Sequence, residues 1–325
     1  MNPDRIELCG QGLLKDILWN ILMNVRVKTL PKSQINLSKQ KTKMYQNKKI
    51  SVCLPCKNEG EHLKLVLAKI PSFVDEIIVV SNNSSDNTYE IAQELSLKRS
   101  VKVFQDDRTL NHNGEGFAYQ TAIRNATGDI IVCADADCTY PTDKIGEMLE
   151  YMINKNLDFM SGSRYPKQKK SVISPMQQFG VAVLNLEILC LYGLKINDSL
   201  SGMWLFKREI IPQLKVLTDK WIGDWNHSPQ IKLNAFCNSN LKCEEYPIVQ
   251  YERAGSTHQH YFKTGFGHLV WIALNRFGIT MSHKMDVIPD PIDLHHTSRS
   301  LPEYSNEANF TVRQKHTISM RIDQV

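Results

Sequence analysis

No stretch of this 325-residue chain is both apolar enough and long enough to cross a bilayer. The nearest candidate, Phe266 to Phe277, is interrupted by His268 and Asn275. A secretory signal is also lacking: Asp4, Arg5 and Glu7 precede only a short apolar segment, so a cytoplasmic chain is expected. There are no internal repeats. The eight cysteines show no framework spacing, and Cys133 and Cys190 lie in apolar segments as small core residues. Cys53 and Cys56 are spaced like a redox pair, but Cys53 falls inside the first expected strand, and that chemistry requires the pair to open a helix. Between Lys28 and Lys49 there is no acidic residue, only seven lysines. The net charge is +5, so the rest of the chain is close to neutral and no nucleic-acid partner is expected.

An apolar helical face stands before those lysines. Leu14, Ile17, Leu18, Ile21, Leu22 and Val25 recur at helical spacing between Leu13 and Val27. An apolar helix followed by a lysine arm suits an anchor at a membrane surface. The same face also suits docking on the chain's own core. The expected organisation is an N-terminal amphipathic helix and basic linker over 1–49, a main domain over 50–285, and a polar, poorly ordered tail over 286–325.

From Ile50 onward strand and helix patterns alternate. Strands are expected over 50–54, 76–80, 101–104, 129–134 and 157–161, and a short one over 243–249. Helices are expected over 59–70, from a cap at Ser84 or Asp86 to Leu97, and over 116–126. Another follows Pro141 with Ile145, Met148, Leu149 and Met152 on its face, and more are expected over 176–192, 210–217, 230–237 and 266–277. Repeated βα units imply an α/β fold with a doubly wound, mainly parallel, Rossmann-like sheet.

The chemistry gathers in loops that leave strands. The run TGDIIVCADADCTYP, Thr127 to Pro141, carries a short apolar strand ending in Asp135 and Asp137. Asp-x-Asp alone recurs by chance and also reads as a solvated turn. At the C-terminal end of a buried strand, however, two carboxylates make a hard oxygen site suited to Mg²⁺ or Mn²⁺, and through the metal to a diphosphate. Three more loops leave strands at matching ends: LPCKNE (Leu54 to Glu59), SNNSSDNT (Ser81 to Thr88) and NGEGFAY (Asn113 to Tyr119). One sheet edge can thus hold a nucleoside in the first two loops and its diphosphate at the metal.

These motifs, with GSRY (Gly162 to Tyr165), DSLSGMWLFKRE from Asp198 and EEYPI from Glu244, follow one another in an order that resembles family 2 of the glycosyltransferases. The resemblance is to its GT-A fold and its dolichol-phosphate mannose synthase-like branch, and covers about Ile50 to Phe277. It implies a sheet followed by a C-terminal helical region on the acceptor side. It further implies that Pro55, Asn58, Glu59 and Asn82 line the nucleoside, and that Gly116 allows close backbone approach there. Asp135 and Asp137 would bind metal and sugar nucleotide. Arg164 and Arg253 would face the diphosphate or an acceptor phosphate. The implied partners are a nucleotide-diphosphate sugar and a polyprenyl or dolichyl phosphate at a membrane surface.

The chain departs from the family pattern in three places. The usual acidic pair after the second strand is Ser81-Asn82, and basic residues of the long helix are replaced by Gln177 and Gln178. Thr257 stands where a lysine often follows the Arg-x-Gly-Ser motif. A doubly charged lipid phosphate would want those cations, so a glycan or other hydroxyl acceptor stands as the alternative. That acceptor would need a base, for which Asp224 is the candidate, although a capping carboxylate fits the position as well. His258 and His260 could supply a late metal ligand or be solvated. A nucleotidyltransferase would need a glycine- and lysine-rich loop after the first strand, which LPCKNE is not. An inactive scaffold of the same fold would be expected to have lost Asp135, Asp137 or Arg164.

Overall fold

The computed structural model describes residues 47–97, 100–109, 113–167, 171–218, 220–253 and 261–279. The amphipathic segment Leu13 to Val27, the polar tail, Thr257, His258 and His260 lie outside the described residues. Seven strands form one sheet: β1 (Ile50–Cys56), β2 (Glu76–Ser81), β3 (Val101–Gln105), β4 (Ile130–Cys133), β5 (Phe159–Ser163), β6 (Trp204–Lys207) and β7 (Cys243–Pro247). Their order is β3-β2-β1-β4-β6-β5-β7.

The first half of the sheet forms as its pattern dictates. β1 and β2 are buried at every position, as fully covered parallel strands should be. Their side chains alternate between two cores. Ile50, Val52, Leu54, Ile77 and Val79 point to one face, against α1 (Gly60–Lys69) and α4 (Ile145–Asn154). Cys53, Ile78 and Val80 point to the other, against α3 (Glu115–Asn125). On α4 the buried residues are Ile145, Met148, Leu149 and Met152, the face its periodicity predicts. Cys53 and Cys56 are both buried inside β1, which removes the redox reading.

Two local expectations change. α2 (Thr88–Ser96) starts behind Asn87, and neither Ser84 nor Asp86 is its cap. Asp86 instead accepts from the Thr88 and Gly60 backbone N–H groups, tying the start of α2 to the start of α1. The helix expected over 210–217 shrinks to a 3₁₀ turn, Arg208–Ile210, and one α-turn, α6 (Ile211–Leu214). It stops because Lys215 enters the left-handed region at φ 57°.

The larger difference is β6, a strand the linear pattern does not reveal. It lies antiparallel between β4 and β5, with Cys133 opposite Trp204, and makes the sheet mixed. Beyond it α5 (Pro175–Tyr192), α7 (His227–Phe236) and α8 (Tyr261–Arg276) meet in a separate apolar cluster through Leu184, Ile188, Leu233, Trp271 and Ile272. Ser174 caps α5 through a reciprocal capping box with Gln177, and Pro175 occupies its first turn.

Candidate active site

β1 to β4 run parallel, so the four motif loops emerge at one edge, as the sequence implies. β4 ends at Cys133, and the chain then delivers Asp135 and Asp137. Asp135 is held from α3, where the Tyr119 hydroxyl donates to its Oδ1 at 2.7 Å. Gly202 crowds the same oxygen, since a Cβ there would lie 3.0 Å from Asp135 Oδ1. Asp137 is buried, and its Oδ1 accepts from the Thr139 N–H at 3.0 Å and hydroxyl at 2.6 Å.

A third carboxylate shares this space. Glu115, the middle residue of Gly-Glu-Gly, is pushed up to about 7 by burial, with the Asp137 charge adding. Burial also raises Asp135, and the Glu115 and Asp137 charges raise it further. Three crowded carboxylates favour a cation. The donor set is all oxygen, which suits Mg²⁺ or Mn²⁺. Among the described residues no group of three or more His, Cys, Asp or Glu side chains is arranged to hold a metal alone. Mg²⁺ at phosphate sites is held by one or two carboxylates, with waters and phosphate oxygens completing the shell. The pair Asp135 and Asp137 fits that pattern.

Both arginines reach the same edge. Arg253 bridges two predicted site residues: Nη1 lies 3.2 Å from Asp137 Oδ2 and Nη2 lies 3.3 Å from Glu59 Oε1. Glu59 also meets His62 Nδ1 at 2.7 Å. Arg164 is mostly buried and donates to Asp198 from Nε at 2.7 Å and Nη2 at 2.8 Å.

The remaining predicted residues are elsewhere. Pro55 is buried within β1, opposite Val80. Asn58 adopts φ 57°, and its Oδ1 accepts from the Ser85 N–H at 2.7 Å, which joins the first two motif loops. Asn82 turns its amide toward the Asp106 and Arg108 carbonyls. Gly116 does permit a close approach, but of the chain itself: its N–H donates to the Gly223 carbonyl, and a Cβ would sit 2.3 Å from the Ile222 oxygen. Asp224 serves a turn, its Oδ1 accepting from the Asn226 N–H at 2.8 Å and side-chain amide at 3.0 Å, and it does not line the cavity.

That cavity has a volume of about 540 Å³. One end holds Glu115, Asp135, Asp137, Arg164 and Arg253. His227 and His268 border it as neutral rings: burial lowers both, His268 to about 4. The far end runs between α5 and α8 and is lined by Met176, Phe179, Val183, Phe262 and Phe266. Phe179, Phe262 and Phe266 are 67%, 80% and 68% exposed, an unusual amount of aromatic surface to leave in water. Glu115, Tyr119, Asp198 and His227 are site residues the linear reading does not single out. Glu115, Tyr119 and Asp198 stand inside recognised motifs, whereas His227 has no local signal.

Residues 51–214 match the family described as Glycosyl transferase family 2. A dolichol-phosphate mannosyltransferase of Pyrococcus furiosus is 32% identical over 170 residues, 50% of this chain and 47% of that protein. The chain thus spans about half the length of that relative. A dolichyl-phosphate hexose transferase of Haloferax volcanii is 27% identical over 212 residues, 64% of this chain and 85% of that protein. Among solved structures, glucosyl-3-phosphoglycerate synthase from Mycobacterium tuberculosis, in complex with Mn²⁺, uridine diphosphate and glucosyl-3-phosphoglycerate, superposes with a TM-score of 0.56. It is 18% identical, and the match covers 78% of this chain and 88% of that one.

Proposed function

The chain belongs to glycosyl transferase family 2 and has a GT-A fold, and from that premise we propose that it moves a hexose from a nucleotide-diphosphate sugar, of GDP-mannose or UDP-glucose type, to a polyprenyl or dolichyl phosphate at a membrane surface. One observation carries the reading: a single cavity joins an end of carboxylates and arginines to an end of exposed apolar side chains. An acceptor with a phosphate head and an isoprenoid tail has that polarity. The two relatives described above, whose names specify dolichyl-phosphate chemistry, support the same class.

The residues divide the work as follows. Asp135 and Asp137 would hold Mg²⁺ or Mn²⁺, which when bound supplies positive charge at the departing diphosphate. Arg164 offers a fixed guanidinium to the same charge. The anomeric C–O bond to the nucleoside diphosphate breaks while an acceptor phosphate oxygen bonds to that carbon from the opposite face, inverting it. The phosphate is already ionised, so no side-chain base is required. That agrees with Asp224 being engaged in its own turn. Asn58, Glu59 and the Ser81–Thr88 loop would receive the nucleoside. Exposed aromatics on α5 and α8 would take the first isoprene units. Among the described residues no helix is long and apolar enough to cross a membrane. The N-terminal apolar face and its lysines would add a surface contact.

The reading with a hydroxyl acceptor keeps one specific support. Gln177 lines the cavity where a cation would serve a lipid phosphate, and both arginines are already paired. A panel of nucleotide sugars, each with and without polyprenyl phosphate, decides between the two. Nucleoside diphosphate release that depends on polyprenyl phosphate is the expected result. Release stimulated only by glycans would overturn it.

A further inference from the structure

Three motifs far apart in sequence meet behind the cavity. Arg164 of Gly162 to Tyr165 is gripped by Asp198 of the Asp198 to Gly202 loop. Asp198 Oδ2 accepts from both the Arg164 N–H at 2.9 Å and Nε at 2.7 Å, and Oδ1 accepts from Nη2 at 2.8 Å. The side chain of Asp198 is fully buried. Asp198 is itself fixed by a third motif: Glu245 on β7 accepts from the Asp198 N–H at 2.9 Å, the Asn197 N–H at 2.6 Å and the Asn197 amide at 2.8 Å. The buried Lys232 ammonium caps the array by donating to the Asp198 carbonyl. Two anions and two cations thus gather in a largely buried cluster that reaches the cavity only through Arg164, a costly arrangement to build for stability alone.

The geometry explains what the array achieves. A carboxylate gripping Nε and Nη2 fixes the plane of the guanidinium, which a single ion pair would leave free to rotate. Among the described residues none accepts from Nη1, and Arg164 lines the cavity. We propose that Asp198 is a positioning residue for the transfer, holding Arg164 so that Nη1 meets the phosphate in the cavity, with Glu245 fixing Asp198 in turn. The proposal rests on the reading that Arg164 meets the departing diphosphate.

The test is a double-mutant cycle read by affinity for GDP and UDP in the presence of Mn²⁺, measured by calorimetry on the full chain. A free nucleoside diphosphate carries the whole leaving-group charge, so its affinity reports the Arg164 contact. Arg164→Ala should weaken binding by about tenfold or more, the usual scale for a hydrogen bond to a charged group. Asp198→Asn should weaken it comparably, and Arg164→Ala combined with Asp198→Asn should bind no worse than Arg164→Ala alone. Losses that multiply would overturn the proposal, because Asp198 would then act by another route. A carboxylate needed only for folding would lower Tm and leave the affinity of folded protein unchanged, which also overturns it. If Asp198→Asn does not fold, Asp198→Glu keeps the charge and displaces the grip by one carbon. Wild-type affinity in Asp198→Glu would then refute positioning. Wild-type affinity in Arg164→Ala would instead remove the premise, a distinguishable failure.

Discussion

Arg253→Ala should tighten binding of Mn²⁺ to the nucleotide-free protein. Arg253 spans the acidic edge, with Nη1 3.2 Å from Asp137 and Nη2 3.3 Å from Glu59. A divalent cation on Asp137 must compete with that guanidinium. Each ion pair is partly exposed, since the arginine side chain is 33% accessible, so each contributes only about 0.2–1 kcal/mol. Together they amount to about 1 kcal/mol, or roughly a fivefold change in affinity. Loss of the positive charge near the site acts in the same direction. Among the described residues the buried Arg253 Nε moreover has no hydrogen-bond partner, so the bridging pose has a cost and should yield readily. Titration of Mn²⁺ followed by electron paramagnetic resonance reads the free ion directly. In the same variant the KM for a phosphate acceptor should rise sharply, because Gln177 and Gln178 offer no replacement cation. Unchanged or weaker Mn²⁺ binding would refute the competition argument, whatever happens to the acceptor.

Asp137→Asn should lower turnover by orders of magnitude while the melting curve stays close to wild type, and EDTA should do the same to the wild-type enzyme; full activity in EDTA would sink the metal assignment. Asp224→Asn should keep most of the rate, since its carboxylate supports a turn, whereas a hydroxyl acceptor that used it as base would show about a hundredfold loss or more. Replacing Phe179 and Phe266 together by Ser should raise the KM for a long-chain polyprenyl phosphate by about a hundredfold, because burying the exposed two-thirds of each ring is worth about 1–2 kcal/mol, and should spare a short water-soluble analogue. Glu76→Gln should flatten the acid limb of stability. Burial pushes the Glu76 carboxyl up, but hydrogen bonds from Lys102, Ser51 and Thr127 outweigh it and hold it down at about 2. Its contribution is therefore complete above the unfolded value near 4.3 and disappears as pH falls toward 2, so the wild-type Tm should drop through that window more steeply than the variant's.

The parallel half of the fold was legible because its signals are local. β1, β2 and β4 are apolar runs between amphipathic stretches, and α4 buries the four residues its periodicity selects. The Asp135 and Asp137 pair was legible because it ends such a run. Asp224 carried both of its readings in the sequence, and in the fold it makes the Asx-type bond to Asn226, two residues on, that a turn carboxylate makes. For Gly116 the sequence announces a close approach but not its partner, and in the fold the chain's own Ile222 carbonyl comes near. His227 could not be found locally, and Tyr119, although it closes the NGEGFAY motif, carries nothing in the sequence that points to Asp135. Tyr119 reaches Asp135 from α3 across the sheet edge, and the His227 ring lies 5.2 Å from the Tyr119 ring through packing of α7.

β6 was hidden for a reason that also explains the site. Four residues are too few to display alternation, and the pairing partners, β4 and β5, lie dozens of residues away. Its direction matters more than its length. Because β6 runs antiparallel to β4, its first residue, Trp204, stands opposite Cys133, the last residue of β4. The loop that precedes β6 therefore arrives at the edge where Asp135 emerges. A parallel strand in the same slot would bring the residues after Lys207 there and carry Asp198 and Gly202 to the opposite edge. The antiparallel insertion instead lets the Gly202 N–H reach the Tyr140 hydroxyl at 2.7 Å and sets the Gly202 backbone against Asp135. β5 and β7 run parallel to each other, and β5, antiparallel to β6, shares the direction of β4. Their C-terminal ends thus face the same edge, from which the chain continues to Arg164 after β5 and to Arg253 beyond β7. One reversed strand in a parallel series is what allows Asp198 to approach from one side and Arg164 from the other, and so to meet.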